Sequence, residues 1–518
     1  MKKLAIVLFI GLFLCLTNSL SAQKFQHIKH SNIKLEGSIK YQEGNIYQKD
    51  YLLFIDMLKS THPAFADNIL HPFNIDSIAN VGYLQMKNCD SKAYFKKYIQ
   101  SIFSLLNDGH TEVMPDIDFQ LTYPFSFITI GNDFYLNLTS KNNANYIGKR
   151  ITKINHTPVK EVLDSFKGSI SYENNSHYYY VLAQRLISLY YWDNSELGRK
   201  DSTLVISFAD NSDLILKPEP FNKKNLVSLQ QRQNKDLITS RKNSLFFYNI
   251  LPEQSICYLQ FNKCEDQSDI RIRNNMSGKD ISPEIELKLS QIPRFDTTME
   301  SMFSKIKSEN IKTLVIDVRH NSGGNSVLCN VLLSYLSKQI NEEVSQIRIS
   351  DLWAKFYPDL AKEYQSIFDR KNTILQKGSL YYLTDFELDN KSIISPSNEE
   401  YFRMNNGDIF KGNIIFIQGE ATWSSAATLI IDAYDNKIGK IIGTKSTYRP
   451  CNYGDLLAWE LPNTQTQGFI SHKIFARPDK SLCNELELLP SVEIYPTIDE
   501  IKLGGDKCWE WILENYSN

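Results

Sequence analysis

Gly412-Asn413-Ile414-Ile415-Phe416-Ile417-Gln418-Gly419-Glu420-Ala421-Thr422-Trp423-Ser424-Ser425-Ala426-Ala427 is the stretch on which the fold turns. Its apolar run is the length of a strand, Gly419 to Thr422 is a polar turn, and the small residues from Ser424 onward open a helix that reaches Tyr434. Ser424 thus falls in the first turn of a helix, where free N–H groups and the helix dipole favour negative charge. A hydroxyl placed there can attack a carbonyl while a neighbouring N–H receives the developing oxyanion. The plainer reading is a helix N-cap, since serine and threonine are preferred caps, and the segment alone more often means that.

A second segment lies upstream: Leu314-Val315-Ile316-Asp317-Val318-Arg319-His320-Asn321-Ser322-Gly323-Gly324. It reads as a buried strand, 313–318, that ends in a Gly-Gly turn. Glycines after a strand let backbone N–H groups turn toward a ligand, and Asp317 with Arg319 would brace the turn. The same stretch can also be a purely structural turn. Around these two segments the chain alternates strands at 256–261, 413–417 and 440–443 with helices at 298–306, 327–336 and 424–434. Such alternation argues for an α/β layer with a largely parallel sheet over residues 226–518.

Farther toward the N-terminus the periodicity changes twice. Residues 45–108 carry helical apolar stripes, Tyr51, Leu52, Phe54, Ile55 and Leu58 in one, Tyr94, Tyr98, Ile99, Ile102, Phe103 and Leu106 in another. Residues 116–220 read as short strands, with a hairpin over 202–216 turning at Asp210-Asn211-Ser212. At the junction stands Leu106-Asn107-Asp108-Gly109-His110-Thr111-Glu112-Val113. A lone histidine is more often structural, but His110 leaves a helix at a Gly turn, a place from which an imidazole reaches a cleft.

Met1 to Ala22 has a basic start, an apolar run over 4–16 and small residues before Gln23. It reads as a secretory signal peptide cleaved after Ala22, the run being shorter than the ~20 residues a spanning helix needs. Cys15 follows Leu14, which does not suit a lipobox. The organisation is therefore signal peptide 1–22, helical segment 23–115, strand-rich module 116–225 and α/β domain 226–518, with no further membrane span and an exported product, periplasmic or secreted. The chain has 518 residues, 42% apolar and 22% charged, and a formal net charge of -2, which gives no case for nucleic acid or an anionic membrane as partner. Beyond Cys15 the cysteines are Cys89, Cys257, Cys264, Cys329, Cys451, Cys483 and Cys508. An odd number cannot all pair, and no Cys/His cluster has metal-ligand spacing, so free buried thiols with one bridge at most are expected.

Together the segments resemble the C-terminal-processing, or tail-specific, serine peptidases. Asp317, Arg319, Asn321, Gly323 and Gly324 match that family's strand-end pattern, and Thr422, Ser424, Ser425 and Ala426 match its nucleophile motif. The segment from Ile147 through Asn155-His156 to the helix 159–166 is similar to part of a PDZ domain, a peptide-capturing module. The resemblance implies a crotonase-like α/β spiral for the catalytic domain, peptide or protein substrates, and no cofactor. Members with a Ser-Lys dyad place Lys where this chain has Arg449, which stays protonated and cannot be a base. The tricorn-like branch uses His instead, in the segment matching Asp108-Gly109-His110-Thr111. On that resemblance Ser424 is the nucleophile, His110 the general base, and Gly323, Gly324 and Ser425 the oxyanion donors. The orienting acid of that branch falls on Asn484 here, with Glu485 and Glu487 adjacent, so Glu485 is taken as the third member. The rival readings are a non-catalytic ligand- or peptide-binding relative of the same fold, an esterase or amidase using the same pair, and an adaptor built on the module.

Overall fold

A computed structural model describes residues 23–24, 44–66, 72–116, 120–193, 195, 203–229, 237–240, 242–276, 282–386 and 402–517. The signal peptide assigned to residues 1–22, and Cys15 in it, lie outside the described residues.

Helices α1 (Ile46–Thr61), α2 (Ile75–Met86) and α3 (Lys92–Phe103) come first. Each starts at a residue whose side chain accepts from a backbone N–H of the first turn: Asn45 from Gln48, Asn74 from Ser77 and Ser91 from Tyr94. Such caps satisfy donors that a helix start leaves orphaned. Tyr51, Leu52, Phe54, Ile55 and Leu58 are fully buried, as their stripe requires. What they bury against comes from far downstream: Ile347, Ile349, Trp353, Leu457, Trp459 and Ile470 share their core. The helical segment is therefore separate in sequence but not in packing. After it, β1 (Glu112–Val113) adds to a sheet formed by distant strands.

The module follows as β2 (Ser126–Ile130), β3 (Asp133–Ser140), β4 (Arg150–Ile154), α4 (Val159–Asp164), α5 (Asn175–Arg185), β5 (Leu204–Phe208), β6 (Asp213–Leu216) and β7 (Leu226–Ser228). Its sheet runs β7-β3-β4-β5-β6, antiparallel throughout, with β2 also on β3. Asn155 and His156, at φ 48° and 68°, make the tight turn after β4. Two consecutive left-handed residues are what a two-residue hairpin turn demands.

The remaining chain supplies β8 (Phe246–Leu251), β9 (Ile256–Phe261), α6 (Phe295–Ser308), β10 (Thr313–Asp317), α7 (Val327–Ser334), β11 (Val344–Arg348), β12 (Leu380–Tyr382), β13 (Asn413–Gln418), α8 (Ser425–Asp435), β14 (Lys440–Gly443), β15 (Asn452–Glu460), β16 (Gln467–Ala476), β17 (Val492–Glu493) and α9 (Lys507–Tyr516). One sheet has the order β8-β9-β10-β13-β14-β17, parallel from β9 onward. Every residue of β10 is buried, because both faces are covered. Leu314 and Ile316 pack with α6, α7 and α8, whereas Val315 faces Ile415, Ile417 and Trp509 on the other side. A second sheet, β15-β16-β11-β12 with β1 on β16, carries the core that α1 to α3 cover.

The parallel sheet sets the place of the site. Asp317 at the end of β10 lies opposite Ile417 near the end of β13, so the turns that follow leave side by side. Crevices beyond the carboxyl ends of parallel strands are where open α/β sheets hold ligands.

Candidate active site

The turns after β10 and β13 are sewn together by hydrogen bonds. Thr422 Oγ1 donates to Val318 O at 2.9 Å and accepts from Gly419 N at 3.0 Å, while Trp423 N donates to Asn321 O at 3.0 Å. Below them Arg319 donates to Asp317 at 2.7 Å and to Asp506 at 2.7 Å, and Tyr258 Oη donates to Asp317 at 2.7 Å. The Asp317–Arg319 pair thus braces the turn, with α9 supplying a second carboxylate.

Ser424 sits at the N-cap position of α8, yet its side chain caps nothing. Its backbone is at φ 53° and ψ -129°, which a residue with a Cβ avoids. Strain of this kind costs on the order of 1–3 kcal/mol and persists where the surroundings hold it. A plain capping serine has extended φ and a hydroxyl bonded back to the first turn, so the capping reading does not describe Ser424.

Gly323 explains how the turns approach. At φ +94°, a Cβ on it would stand 2.7 Å from Ser424 Cβ and 2.9 Å from both Ser425 N and Trp423 O. Gly324, at φ +142°, is equally pressed against Cys264 O. Of the expected oxyanion donors, Gly323 N already donates to Asn321 Oδ1 at 2.9 Å. The N–H groups of Gly324 and Ser425 have no acceptor among the described residues. Ser425 Oγ instead donates to Gly324 O at 2.7 Å, tying α8 to the glycine turn.

His110 reaches this place from the loop between α3 and β1. Its ring stacks on the Trp423 indole, centroids 3.9 Å apart and planes at 18°, next in sequence to Ser424. The loop is pinned by Asp108, fully buried, which accepts from His110 N at 2.8 Å, from Thr111 Oγ1 at 2.5 Å and pairs with His62 Nε2 at 3.0 Å. Burial alone would raise the Asp108 carboxyl, but the bonds from His110 and His62 hold it well below its ordinary range. His110 Nδ1 is buried with no hydrogen-bond partner. The Ser424 hydroxyl and His110 are not hydrogen-bonded to one another, an arrangement common for catalytic pairs without substrate.

Two carboxylates stand by His110 Nδ1, each at 3.7 Å: Asp108 Oδ1 and Glu173 Oε1. Glu173 is buried in the stretch between α4 and α5, and burial pushes its carboxyl up to about 7. It accepts from Trp423 Nε1 at 2.8 Å and from Arg449 N at 2.8 Å. His177, on α5, accepts from Glu173 N through Nδ1 at 3.1 Å, and burial holds it neutral, near 3.

Glu485 is elsewhere. Its carboxylate pairs with Arg477 Nη1 at 2.6 Å, and Arg477, itself fully buried, also binds Asp435 at 2.6 Å. A buried guanidinium needs carboxylate partners, and this one claims Glu485. Neighbouring Glu487 pairs with Lys445 at 3.1 Å. The expected third member is thus not at His110, and Glu173 and Asp108 are the acids that are. Glu173 carried no local signal in the sequence, for it is one acid among the aromatic and amide residues of Ser171-Tyr172-Glu173-Asn174-Asn175.

Cys451 and Cys483 form a disulfide, whereas Cys89, Cys257, Cys264, Cys329 and Cys508 are free and buried. Among the described residues no group of three or more His, Cys, Asp or Glu is arranged to hold a metal ion, and no helix is long and apolar enough to cross a membrane.

Comparison with known proteins places residues 286–450 within the sequence model of peptidase family S41. No curated protein matches the chain. Among solved structures, mature CPAF complexed with lactacystin superposes with a TM-score of 0.60 at 14% identity, covering 90% of this chain and 97% of that one. Mature CPAF alone gives 0.60 at 13% identity over 90% and 95%. The photosystem II D1 C-terminal processing protease gives 0.40 at 14% identity over 89% and 98%. The CPAF matches establish a shared fold.

Proposed function

We propose that this chain, whose residues 286–450 match the sequence model of peptidase family S41, is an exported serine-type peptidase that cleaves peptide bonds of peptide or protein substrates through an acyl-enzyme on Ser424 with His110 as general base. The observation that carries this reading is Ser424 itself, strained at φ 53° and ψ -129°, its hydroxyl uncommitted at the start of α8 beside the glycine turn. A strained serine between a strand and a helix is the geometry of a nucleophile elbow.

In the proposed reaction Ser424 Oγ attacks the scissile carbonyl and His110 takes its proton. The carbonyl oxygen gathers negative charge that the free N–H groups of Ser425 and Gly324 are available to receive. His110 then gives the proton to the departing amine, and water, deprotonated by the same imidazole, releases the acyl group. Gly323 contributes by having no Cβ, which lets the oxyanion turn lie against Ser424.

The finer architecture belongs to the same proposal. The helix-covered parallel sheet supports a crotonase-like spiral for the domain 226–518. The antiparallel sheet with its β4–turn–α4 unit supports a PDZ-like module over 116–225 that captures an extended chain by strand addition. The leader at 1–22 and the Cys451–Cys483 disulfide support export to the periplasm or beyond. Incubating residues 23–518 with unfolded protein substrates and sequencing the products by mass spectrometry tests the activity. Cleavage products are expected from wild type and none from Ser424→Ala; equal products from both would refute it.

A further inference from the structure

We infer that Glu173, delivered from the strand-rich module, is the carboxylate that holds His110 in its working orientation, a positioning residue for the proposed reaction. The inference rests on the Ser424–His110 reading above and assigns the acid that Glu485 does not supply.

The geometry favours Glu173 over Asp108. Asp108 already serves three donors, His110 N on Oδ1 and Thr111 Oγ1 and His62 Nε2 on Oδ2, which leaves it one acceptor position where Glu173 keeps two. Glu173 has one donor on each oxygen, Trp423 Nε1 on Oε1 and Arg449 N on Oε2. A carboxylate oxygen accepts two donors, so Oε1 has room for His110 Nδ1–H. From 3.7 Å, a closing movement of roughly 0.8 Å makes that bond. The orphaned, buried Nδ1 is the donor in want of an acceptor.

Glu173 is also rigidly placed. Asn174 caps α5 and its Nδ2 donates to Ser446 O, Tyr448 O and Leu486 O, which fastens the module to the catalytic domain. The indole that stacks on the imidazole is the same one that donates to Glu173, so ring and carboxylate share one template. With Nδ1–H held by the ionised form of Glu173, Nε2 is left to take and return the Ser424 proton.

The groups facing the pair are Asp108 from the His110 loop, His177 from α5 and Trp423 and Arg449 N from the catalytic domain, with Glu112 and Asp455 within electrostatic reach of His110. Because burial lifts Glu173 to about 7, the site loses that acceptor charge as pH falls through the neutral range, and Glu173 contributes to the acid limb of the reaction.

The test is the pH dependence of the rate at which a fluorophosphonate labels residues 23–518. E173Q is expected to lower the rate roughly 10²- to 10⁴-fold at pH 8, the scale of losing an orienting carboxylate, and to move the acid limb to lower pH. W423F keeps the stack but removes a donor that lowers the Glu173 carboxyl, so its limb is expected to move up. Wild-type rate and limb in E173Q, or an unmoved limb in W423F, overturns the inference, and W423F decides alone should E173Q not fold. S424A and H110A guard the premise: labelling that survives in them refutes the Ser-His pair, whereas labelling lost in them but intact in E173Q refutes only Glu173.

Discussion

Gly323→Ala is the perturbation whose effect the structure sets most closely. The added methyl would sit 2.7 Å from Ser424 Cβ and 2.9 Å from Ser425 N, both at the start of α8. Carbon atoms in contact settle at about 3.5 Å or more, so the two turns must part by several tenths of an ångström. The φ of +94° adds strain of about 1–2 kcal/mol for a residue with a Cβ. Stability should therefore fall by roughly 2–3 kcal/mol. The labelling rate should fall further, about 10²- to 10³-fold, as when one oxyanion donor is removed. Gly131→Ala separates the two effects. Gly131 is at φ +61°, but nothing lies within 4 Å of its Cβ position, so strain acts there without displacement. That variant should lose about 1 kcal/mol of stability and no labelling. The assay is fluorophosphonate labelling of each variant beside its thermal melt. A Gly323→Ala protein that labels within threefold of wild type refutes the claim that this glycine sets the oxyanion turn.

Asp108→Asn should destabilise by roughly 2–4 kcal/mol, since one buried carboxylate serves three donors. The Asp108 carboxyl is depressed in the fold, so its contribution is present above the ordinary carboxyl range and lost as pH falls below about 4, where the gap between variant and wild-type melts should close. Asp432→Asn should act oppositely. Burial raises Asp432 to about 8, so the fold holds a proton that the unfolded chain releases from about pH 4 upward, and wild-type stability falls as pH rises through that window. The variant should melt above wild type at pH 9, by on the order of 5 kcal/mol from about four pH units at about 1.4 kcal/mol each, and level with it at pH 4. Reducing the Cys451–Cys483 bridge, which closes a separation of 32 residues, should cost about 3–4 kcal/mol, read as the shift in urea midpoint with and without reductant.

The parts of the site that lie on short, chemically punctuated segments were legible in the sequence. The apolar runs of β10 and β13 read as strands because each is short and closed by a polar or glycine turn, and the structure sets them in parallel neighbours. The apolar stripes of α1 and α3 announced a buried face but not its partner, and that partner, Trp353, Leu457 and Trp459, comes from hundreds of residues away. Strand β16 is unreadable for a different reason: Ser471, His472 and Lys473 are buried polar residues, so hydrophobic alternation fails there. Glu485 illustrates the limit of spacing, because a one-residue offset from the family position leaves a side chain that answers to Arg477 instead. Glu173 meets His110 only through the docking of the module, a contact that no local pattern encodes.

Whether Ser424 is a nucleophile activated by His110 is decided by fluorophosphonate labelling of residues 23–518 in wild type, Ser424→Ala and His110→Ala. A labelled wild type and loss of labelling in both folded variants are expected. A folded wild-type protein that takes no label, or a Ser424→Ala protein that still does, would contradict it.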